Sequence, residues 1–391
     1  MFELNKLLRP HILTLTPYSS ARDEYTGTEG VFLDANENPF GSVVDTKLQT
    51  PDHAEPDDYN RYPDPHQGAT KQRLAPIKGV RPGQIFLGNG SDEPIDLLIR
   101  ATCRPGQDSI LIMPPTYGMY EVSATINDVA VVKVPLRPDF QVDTDAVLAA
   151  ITPTTKIIWL CSPNNPSGNL LQPDAIQTIL EAATQSLVVV DEAYIDFATT
   201  PSWTEKLDQY PNLVVLQTFS KAWGMAALRL GMCFASEELI QVMNKIKPPY
   251  NISAPTQALA LEALRHENTK NEMVAKILAE RQILAENLRS LPIVQVIHPS
   301  DANFLLVQFA DAKATFEYLI EQQVIVRDRS KVKLCDGCLR ITVGTRTENE
   351  RLLAVLRQIK KSANDGNAPI SDNLPLGTGE SATKPELVSN A

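Results

Sequence analysis

The chain has 391 residues, of which 43% are hydrophobic and 21% charged, and it carries a formal net charge of −11 at pH 7. This composition is typical of a globular protein with one large or two smaller domains. The acidic balance, without a cluster of lysines and arginines, argues against nucleic acid as a partner, although a few local cations could bind a small anion. No apolar run approaches the roughly 20 residues that span a bilayer, so we expect no membrane partner.

The cysteines and the first residues bear on the compartment. Five cysteines in a chain of this length do not form a disulfide framework, which predicts a reducing, cytoplasmic location. Cys335 and Cys338 have the spacing of a redox or half-zinc motif, but no second cysteine pair or histidine pair completes a metal site. We interpret this segment as a turn with two incidental thiols and expect no metal. Residues 1–6 include an acid and lack an apolar core, so we expect no signal peptide.

The region before residue 85 is predicted to be largely irregular. Residues 1–30 are expected to form an arm, and a polar turn follows at 34–41. Residues 42–60 are acidic and lack periodicity, which predicts a surface loop. The two prolines in 61–65 fix an extended backbone, and a helix is predicted over 67–75.

From residue 85 onward, short apolar strands alternate with helical patterns. The strands are predicted at 85–87, 109–113, 129–134, 156–161, 187–190 and 213–219, and the helices at 95–101, 173–184 and 237–247. Such an alternation indicates an α/β fold, in which helices flank a mostly parallel sheet.

The pattern changes after about residue 260. Two helices are followed by a smaller α+β unit, and these elements are predicted at 255–266, 270–290, 303–309, 312–322, 324–327, 338–343 and 348–361. The last residues contain no aromatic side chain and are rich in small and polar residues, which predicts disorder. We therefore predict an arm with part of the small domain (1–60), a large domain (61–265), a small domain (266–361) and a disordered tail (362–391).

Polar side chains follow three of the predicted strands. They are Asn165 after strand 156–161, Asp191 and Tyr194 after strand 187–190, and Ser220 and Lys221 at the end of strand 213–219. Because ligands bind outside the carboxyl ends of strands in open α/β sheets, we expect these side chains to meet at one edge. Gly90-Ser91-Asp92 opens a predicted helix, whose unpaired N–H groups suit a phosphate.

Each of these features also has an ordinary structural explanation. Lys221 could extend its amine into solvent from the end of a core strand. Asp191 could be a loop carboxylate or a helix cap, and Asn165-Pro166-Ser167-Gly168 is a common turn sequence. Gly88-x-Gly90 lacks the third glycine of a dinucleotide fingerprint. The order and spacing of all the parts together are much more specific than any one part.

Together, Asn165-Pro166-Ser167-Gly168, Asp191-Glu192-Ala193-Tyr194 and Ser220-Lys221 with Arg229 resemble the fold-type I aminotransferases that use pyridoxal 5′-phosphate. More narrowly, the stretches 34–41, 61–65, 114–120 and 338–345 are similar to the histidinol-phosphate aminotransferase family. The resemblance runs from about residue 15 to residue 361. It implies a large cofactor-binding domain, a smaller α+β domain and pyridoxal 5′-phosphate as the cofactor.

The resemblance also implies roles for the residues around the cofactor ring. Lys221 would bind the cofactor aldehyde covalently and, once the substrate amine displaces it, would move the substrate proton. Asp191 would keep the pyridine nitrogen protonated, so that the ring accepts electrons. Asn165 and Tyr194 would hydrogen-bond the phenolic oxygen of the ring, and Tyr117 would stack on the ring face.

The remaining roles concern anions. The resemblance implies that Ser220, Arg229 and the N–H groups of Ser91 and Asp92 hold the cofactor phosphate, which Tyr62 reaches from the neighbouring subunit of a homodimer. For the substrate anion it implies Tyr18, Asn36, Arg327 and Arg340. A guanidinium suits both a phosphate and a carboxylate, and one site must bind histidinol phosphate and glutamate in turn. Arg327 could instead form a surface ion pair with Asp328.

The implied reaction converts L-histidinol phosphate and 2-oxoglutarate to imidazole acetol phosphate and L-glutamate, in L-histidine biosynthesis. An aromatic amino acid aminotransferase on the same scaffold is an alternative, and it would not need Arg327 or Tyr18. A decarboxylase of a phosphorylated amino acid would keep the cofactor and break a different bond at Cα. A cofactor-binding regulator would need a fused DNA-binding module, and neither the first 30 residues nor the acidic remainder contains one.

Overall fold

The computed structural model describes residues 9–17, 25, 29–44 and 60–364, with side chains up to residue 359. Between residues 60 and 364, two separate sheets form the framework of the chain. A larger sheet precedes a smaller one in sequence, and helices pack on both. No helix among the described residues is long and apolar enough to cross a bilayer.

The larger sheet has seven strands within the described residues. In spatial order they are Ile85–Asn89, Leu230–Phe234, Leu213–Thr218, Leu187–Asp191, Thr155–Cys161, Ser109–Ile112 and Ala130–Lys133. Leu230–Phe234 runs antiparallel to both of its neighbours, and the other strand pairs are parallel. The predicted α/β fold class, with a mostly parallel sheet, is therefore confirmed.

The central strands of this sheet are buried on both faces. Along Thr155–Cys161, Ile158 and Leu160 pack into one apolar cluster, while Ile157 and Trp159 pack into a second cluster. Successive side chains of a strand point to opposite faces, so the two clusters lie on the two sides of the sheet. Burial on both faces explains why the sequences of these strands are continuously apolar and do not alternate between apolar and polar residues.

Helices cover these faces and connect the strands. Those up to residue 263 are Pro10–Leu13, Gly68–Lys78, Asp92–Thr102, Met119–Ile126, Thr144–Ala150, Pro173–Ala182, Glu237–Ile246 and Ala254–Ala263. Those that follow are Glu267–Arg289, Ala312–Glu321 and Arg346–Asn364. Several start with a side-chain cap; for example, Ser236 accepts a hydrogen bond from the N–H of Leu239 at the start of Glu237–Ile246.

The smaller sheet is antiparallel and lies in the C-terminal part. Its strands, in spatial order, are Arg327–Asp328, Cys338–Thr342, Phe304–Phe309 and Val294–Ile297. A separate parallel pair joins Val31–Phe32 to Val324–Ile325. This pairing fixes the segment around residue 34 against the smaller sheet, although the two are almost 300 residues apart in sequence.

Some elements differ from the sequence-based prediction. The strands Leu230–Phe234 and Val294–Ile297 and the helices Met119–Ile126 and Thr144–Ala150 were not predicted. Leu230–Phe234 contains Gly231, Met232 and Cys233, and so lacks the β-branched residues that mark the neighbouring strands. The last helix continues to Asn364, three residues into the predicted tail, and residues 365–391 lie outside the described part of the chain.

The Cys335–Cys338 segment forms a tight turn in which the N–H of Cys338 donates to the carbonyl oxygen of Cys335 over 2.9 Å. Both thiols are free and buried. Burial raises the pKa of Cys335 to about 12 and that of Cys338 to about 11, so neither is a reactive thiolate at neutral pH.

Candidate active site

A cavity of about 330 Å³ lies where the carboxyl ends of the parallel strands meet the smaller sheet. Twelve of the residues singled out from the sequence line this cavity. They are Asn36, Ser91, Asp92, Tyr117, Asn165, Asp191, Tyr194, Ser220, Lys221, Arg229, Arg327 and Arg340. The cavity therefore brings together side chains that were predicted from separate parts of the chain.

The order of the strands explains much of this convergence. Cys161 and Asp191 are Cα partners at the carboxyl ends of adjacent parallel strands, and Asp191 is likewise opposite Leu216 of the next strand. The antiparallel strand Leu230–Phe234 enters the sheet from the opposite direction. Its first residues therefore meet the carboxyl ends of its neighbours, which places Arg229 at the same edge as Lys221.

Lys221 is half-buried and its amine faces the chain rather than bulk solvent. Its Nζ donates a hydrogen bond to the carbonyl oxygen of Ala35 over 2.9 Å and lies 5.8 Å from the centre of the Tyr194 ring. Burial, together with the positive charges of Arg340 and Arg229, lowers the pKa of Lys221 to about 8, against the opposing effect of Glu37 and Asp92. The amine therefore has a much larger neutral fraction near pH 7 than a solvent-exposed lysine.

Asp191 has the opposite character, because it is an acid held inside the protein. Its side chain is 3% exposed. Oδ2 accepts a hydrogen bond from the hydroxyl of Tyr120 over 2.5 Å, and Oδ1 accepts one from the N–H of Ala193 over 3.1 Å. Burial raises the pKa of Asp191 to about 6, although both hydrogen bonds favour the charged form.

The neighbouring Glu192 faces away from the cavity. It accepts hydrogen bonds from the hydroxyl of Ser202, the N–H of Trp203 and the amide of Gln217. Burial raises the pKa of Glu192 to about 7. Successive side chains alternate along an extended chain. Glu192 therefore anchors the strand end on the side away from the cavity, whereas Asp191 faces the cavity.

One end of the cavity is suited to an anion. Gly90 has φ of +69°, and a Cβ atom there would lie 2.5 Å from Nη2 of Arg229, so a larger residue would strain the backbone and displace the guanidinium. Asp92 starts the helix Asp92–Thr102, whose first N–H groups have no partner within the helix. Arg229 donates from Nη1 to the carbonyl oxygen of Ala226, and its Nη2 lies 3.6 Å from Oδ2 of Asp92. The hydroxyl of Ser220 lies close by and accepts from the hydroxyl of Thr218.

Tyr117 and Tyr194 border the space between Lys221 and Asp191. The hydroxyl of Tyr117 donates to Oδ1 of Asp92 over 3.0 Å, which fixes the ring beside the anion-suited end. The hydroxyl of Tyr194 accepts from Nδ2 of Asn36 over 3.0 Å. Asn36 is itself held by the hydroxyl of Thr342, so a residue of the smaller sheet supports the position of Tyr194.

Arg340 connects the two sheets across the cavity. Its Nη1 donates to Oδ1 of Asn165 over 2.8 Å, and its Nη2 donates to the carbonyl oxygen of Asp34 over 2.6 Å. The guanidinium carbon lies 5.3 Å from the centre of the Phe304 ring. Because Oδ1 of Asn165 is engaged, its amide NH₂ is the group that can donate to a ligand.

Three arginines share one face of the smaller sheet, which we call the arginine face: Arg327, Arg329 and Arg340. Arg327 and Arg340 are direct partners on adjacent antiparallel strands, so their side chains point to the same side. Arg329 follows two residues after Arg327 and also lines the cavity. Arg327 is only 3% exposed, so it is not a surface side chain.

Sequence reasoning missed several residues of this site. Arg329, the exposed Glu37 and Cys161 line the cavity, and Tyr120 contacts Asp191 from behind it. The alternation of side chains along a strand could have identified Arg329, since it follows Arg327 at the spacing of one strand face. Nothing in the sequence alone pairs Tyr120 with Asp191, because the two residues come from different layers.

Two of the predicted residues are not in the cavity of this chain. Tyr62 is 81% exposed, and its ring stacks on that of Tyr250 with 4.3 Å between ring centres. Tyr18 lies outside the described residues.

Comparison with known proteins identifies the family. The sequence profile described as "Aminotransferase class I and II" matches residues 28–356. The chain belongs to this aminotransferase family. Among its relatives, histidinol-phosphate aminotransferase of Cytophaga hutchinsonii is 60% identical over 91% of this chain and 99% of its own length. The enzyme of the same name from Parabacteroides distasonis is 51% identical over 92% of this chain and 100% of its own.

Solved structures agree with this assignment. Histidinol-phosphate aminotransferase from Sinorhizobium meliloti, solved with pyridoxal 5′-phosphate, superimposes with a TM-score of 0.80 at 25% identity. The superposition covers 90% of this chain and 98% of that structure. The similarity spans both sheets and is therefore not confined to the cofactor-binding motifs.

Proposed function

We propose that this protein is a histidinol-phosphate transaminase with pyridoxal 5′-phosphate as its cofactor. It transfers the amino group of L-histidinol phosphate to 2-oxoglutarate, a step of L-histidine biosynthesis. The observation that carries the proposal is that a lysine with a lowered pKa, a buried acid and the arginine face line one cavity. The relatives named above support the same substrate.

The residues present fit this cofactor. The space beside Gly90, which a Cβ would fill, together with Arg229 and the helix start at Asp92, matches a phosphate. The buried carboxylate of Asp191 matches a protonated ring nitrogen, because a cation beside it would relieve the cost of its burial. When bound, pyridoxal 5′-phosphate supplies an aldehyde that accepts an amine and a ring that withdraws electrons from the substrate Cα. We call this part of the cavity the cofactor end.

Lys221 holds the cofactor and then carries the proton. Because its pKa is lowered to about 8, a substantial fraction of Nζ is neutral near physiological pH and able to attack a carbonyl. Once the substrate amine takes its place, the same Nζ would accept the proton from the substrate Cα and deliver it to the cofactor carbon that carried the aldehyde. Arg340 and Arg229 keep this amine from holding its proton too tightly.

Asn165 and Tyr194 complete the cofactor end. We propose that the Asn165 amide and the Tyr194 hydroxyl donate to the phenolic oxygen of the ring and stabilise its negative charge. Tyr194 is suited to this because Asn36 holds its hydroxyl oxygen in place and the side chain lines the cavity. Tyr117 packs against the ring face.

The arginine face binds the anion at the far end of the substrate. We call this part of the cavity the substrate end. Histidinol phosphate carries a phosphate dianion, whereas glutamate presents carboxylates to the same groups. Arg327 and Arg340 are nearly buried, so their interactions with an anion are weakly screened by solvent. Tyr18 and Asn36 complete the proposed set around the substrate. Arg329 is added to that set from its place on the same face.

The charge of this end favours histidinol phosphate over aromatic amino acids. An aromatic amino acid offers these arginines one carboxylate, whereas the phosphate of histidinol phosphate is a dianion with more acceptor oxygens for a guanidinium. A decarboxylase of a phosphorylated amino acid remains the second candidate, because the same three arginines would hold its phosphate.

We propose that the active unit is a homodimer. The exposed Tyr62 does not line its own cavity and stacks on the exposed Tyr250, while Val242 and Ile246 are also exposed on the helix Glu237–Ile246. Covering such side chains with a second copy would carry Tyr62 toward the partner's cofactor phosphate. The five free, buried thiols are compatible with the proposed cytoplasmic location.

A half-reaction assay tests the proposed substrate. The cofactor-loaded protein is mixed separately with histidinol phosphate, glutamate, phenylalanine and tyrosine, and the absorbance of the bound cofactor reports its conversion to the amine form. We expect rapid conversion by histidinol phosphate and glutamate and slow conversion by the aromatic amino acids. Faster conversion by phenylalanine or tyrosine would point to the aromatic enzyme, and release of carbon dioxide from a phosphorylated amino acid would point to the decarboxylase.

A further inference from the structure

Tyr120 makes a short contact with the acid of the cofactor end, although it does not line the cavity. Its hydroxyl donates to Oδ2 of Asp191 over 2.5 Å. Burial and the charge of Asp191 raise the pKa of Tyr120 well above its usual value, so the hydroxyl keeps its proton and acts as the donor. The contact is therefore a charge-assisted hydrogen bond whenever Asp191 is ionised.

The ring of Tyr120 is fixed on two sides. It is fully buried and stacks on Trp159, with 4.7 Å between ring centres and 13° between ring planes. It also meets the edge of Tyr117, whose ring centre lies 5.6 Å away. A tyrosine held this tightly has little rotamer freedom left, so its hydroxyl lies at a fixed position relative to Asp191.

The surroundings of Asp191 give Tyr120 a particular importance. Burial and the nearby Asp92 both disfavour the charged form of Asp191. The hydrogen bonds that favour the charged form come from Tyr120 and from the N–H of Ala193. Cys161 lies close on the adjacent strand, but its pKa is strongly raised by burial, so it stays a neutral thiol. Lys221 lines the same cavity, and its pKa is lowered to about 8.

We propose that Tyr120 is a positioning residue, which holds the Asp191 carboxylate ionised and correctly aimed beneath the ring nitrogen of the cofactor. The proposal rests on the cofactor assignment but not on the identity of the amino donor. Tyr120 acts through Asp191 and does not touch the substrate. Without its hydroxyl, a neutral Asp191 would no longer favour a protonated ring nitrogen, and the cofactor would bind less tightly.

The test compares Tyr120→Phe with a matched control. The phenylalanine keeps the ring stack on Trp159 and removes only the hydroxyl. In the control, Tyr210→Phe, the lost hydroxyl also contacts a carboxylate, that of Glu181 over 3.2 Å, but on the exposed surface. Both variants are freed of cofactor and titrated with pyridoxal 5′-phosphate between pH 6 and 9, and the dissociation constant is followed by fluorescence. The absorbance of the bound cofactor is recorded across the same pH range.

We expect Tyr120→Phe to weaken cofactor binding about 10-fold, with the largest loss at the acidic end of the range, since the variant lacks a hydrogen bond to a charged group. The pH midpoint of the absorbance change should also shift, and Tyr210→Phe should match the wild type in both measurements. A cofactor analogue with CH in place of the ring nitrogen should bind wild type and Tyr120→Phe with equal affinity.

Two outcomes would overturn the proposal. Equal losses with the normal cofactor and with the analogue would mean that Tyr120 only supports packing. Unchanged affinity and absorbance in Tyr120→Phe would mean that the hydroxyl has no role. If Tyr120→Phe fails to fold alone, Asp191→Asn is compared with the double variant Asp191→Asn with Tyr120→Phe, which leaves no buried charge without its donor; a double variant that also fails to fold would likewise mean that Tyr120 only supports packing. The proposal requires equal cofactor affinity in these two. Because every readout is cofactor binding, failure of histidinol phosphate as substrate would leave the result interpretable.

Discussion

The cofactor end of the cavity is assembled from neighbouring strands of one sheet, whereas the substrate end combines parts of the chain that are far apart in sequence. Asp191 ends one parallel strand and Lys221 follows the next, so a single sheet sets their separation. The arginine face belongs to the smaller sheet. It reaches the larger sheet through Arg340, which contacts both Asn165 and the backbone of Asp34.

This difference suggests how one scaffold can serve several amino donors. In the proposed mechanism, chemistry at the substrate Cα depends on groups at the edge of the larger sheet. Strand pairing and burial on both faces of the sheet hold these groups in place. Recognition of the distal anion depends on a few side chains of a separate sheet. Of these, Arg327 and Arg329 can change without disturbing the cofactor end, whereas Arg340 also contacts Asn165. Substitutions at the cofactor end should therefore lower turnover, whereas substitutions at the substrate end should change the selectivity for the amino donor.

The largest effect is expected from removing the amine of the cofactor end. Lys221→Ala should lower turnover by at least about 1,000-fold, because it removes both the covalent attachment and the base. The absorbance of the attached cofactor should be lost as well. Lys71→Met is the control, since burial also lowers the pKa of Lys71 to about 8, yet it lies outside the cavity. Wild-type turnover in Lys221→Ala would refute the assignment of this lysine.

A substitution at the substrate end should instead change selectivity. Arg327→Gln removes a nearly buried guanidinium from the arginine face, so kcat/KM for histidinol phosphate should fall about 10- to 100-fold. For phenylalanine the change should stay within about 3-fold, because that substrate has no distal anion for Arg327 to bind. Steady-state kinetics with both donors measures the ratio of the two kcat/KM values. Equal losses with both donors would mean that Arg327 supports the structure of the cavity and does not bind the substrate anion.

The smallest effect is expected at Arg329, the partly buried member of the arginine face. Arg329 is only partly buried, so solvent screens its charge and Arg329→Gln should raise KM for histidinol phosphate about 3- to 10-fold. The effect should shrink as salt is added. Lys331→Gln removes the same charge from an exposed position two residues away and should leave KM unchanged. A similar KM shift in both variants would mean that general surface charge, and not Arg329, attracts the substrate.

The sequence allowed the cofactor end to be predicted more completely than its supports. Asp191 and Lys221 could be placed because each terminates an apolar strand, and parallel strands bring their carboxyl ends together. Tyr120 could not be placed from the sequence, since its contact with Asp191 depends on how a helix packs on the sheet. Arg327 was predicted only through resemblance, and its burial and alignment with Arg340 depend on the register of the smaller sheet. The position of Tyr62 in an assembly depends on a second chain.

The most direct test of the account is to locate the amine that holds the cofactor. Wild-type protein loaded with pyridoxal 5′-phosphate is reduced with borohydride and digested, and the modified peptide is identified by mass spectrometry. We predict that the cofactor mass lies on Lys221 alone. The cofactor mass on another buried lysine, such as Lys71, Lys247 or Lys270, would contradict the account, as would a protein that retains no cofactor after reduction.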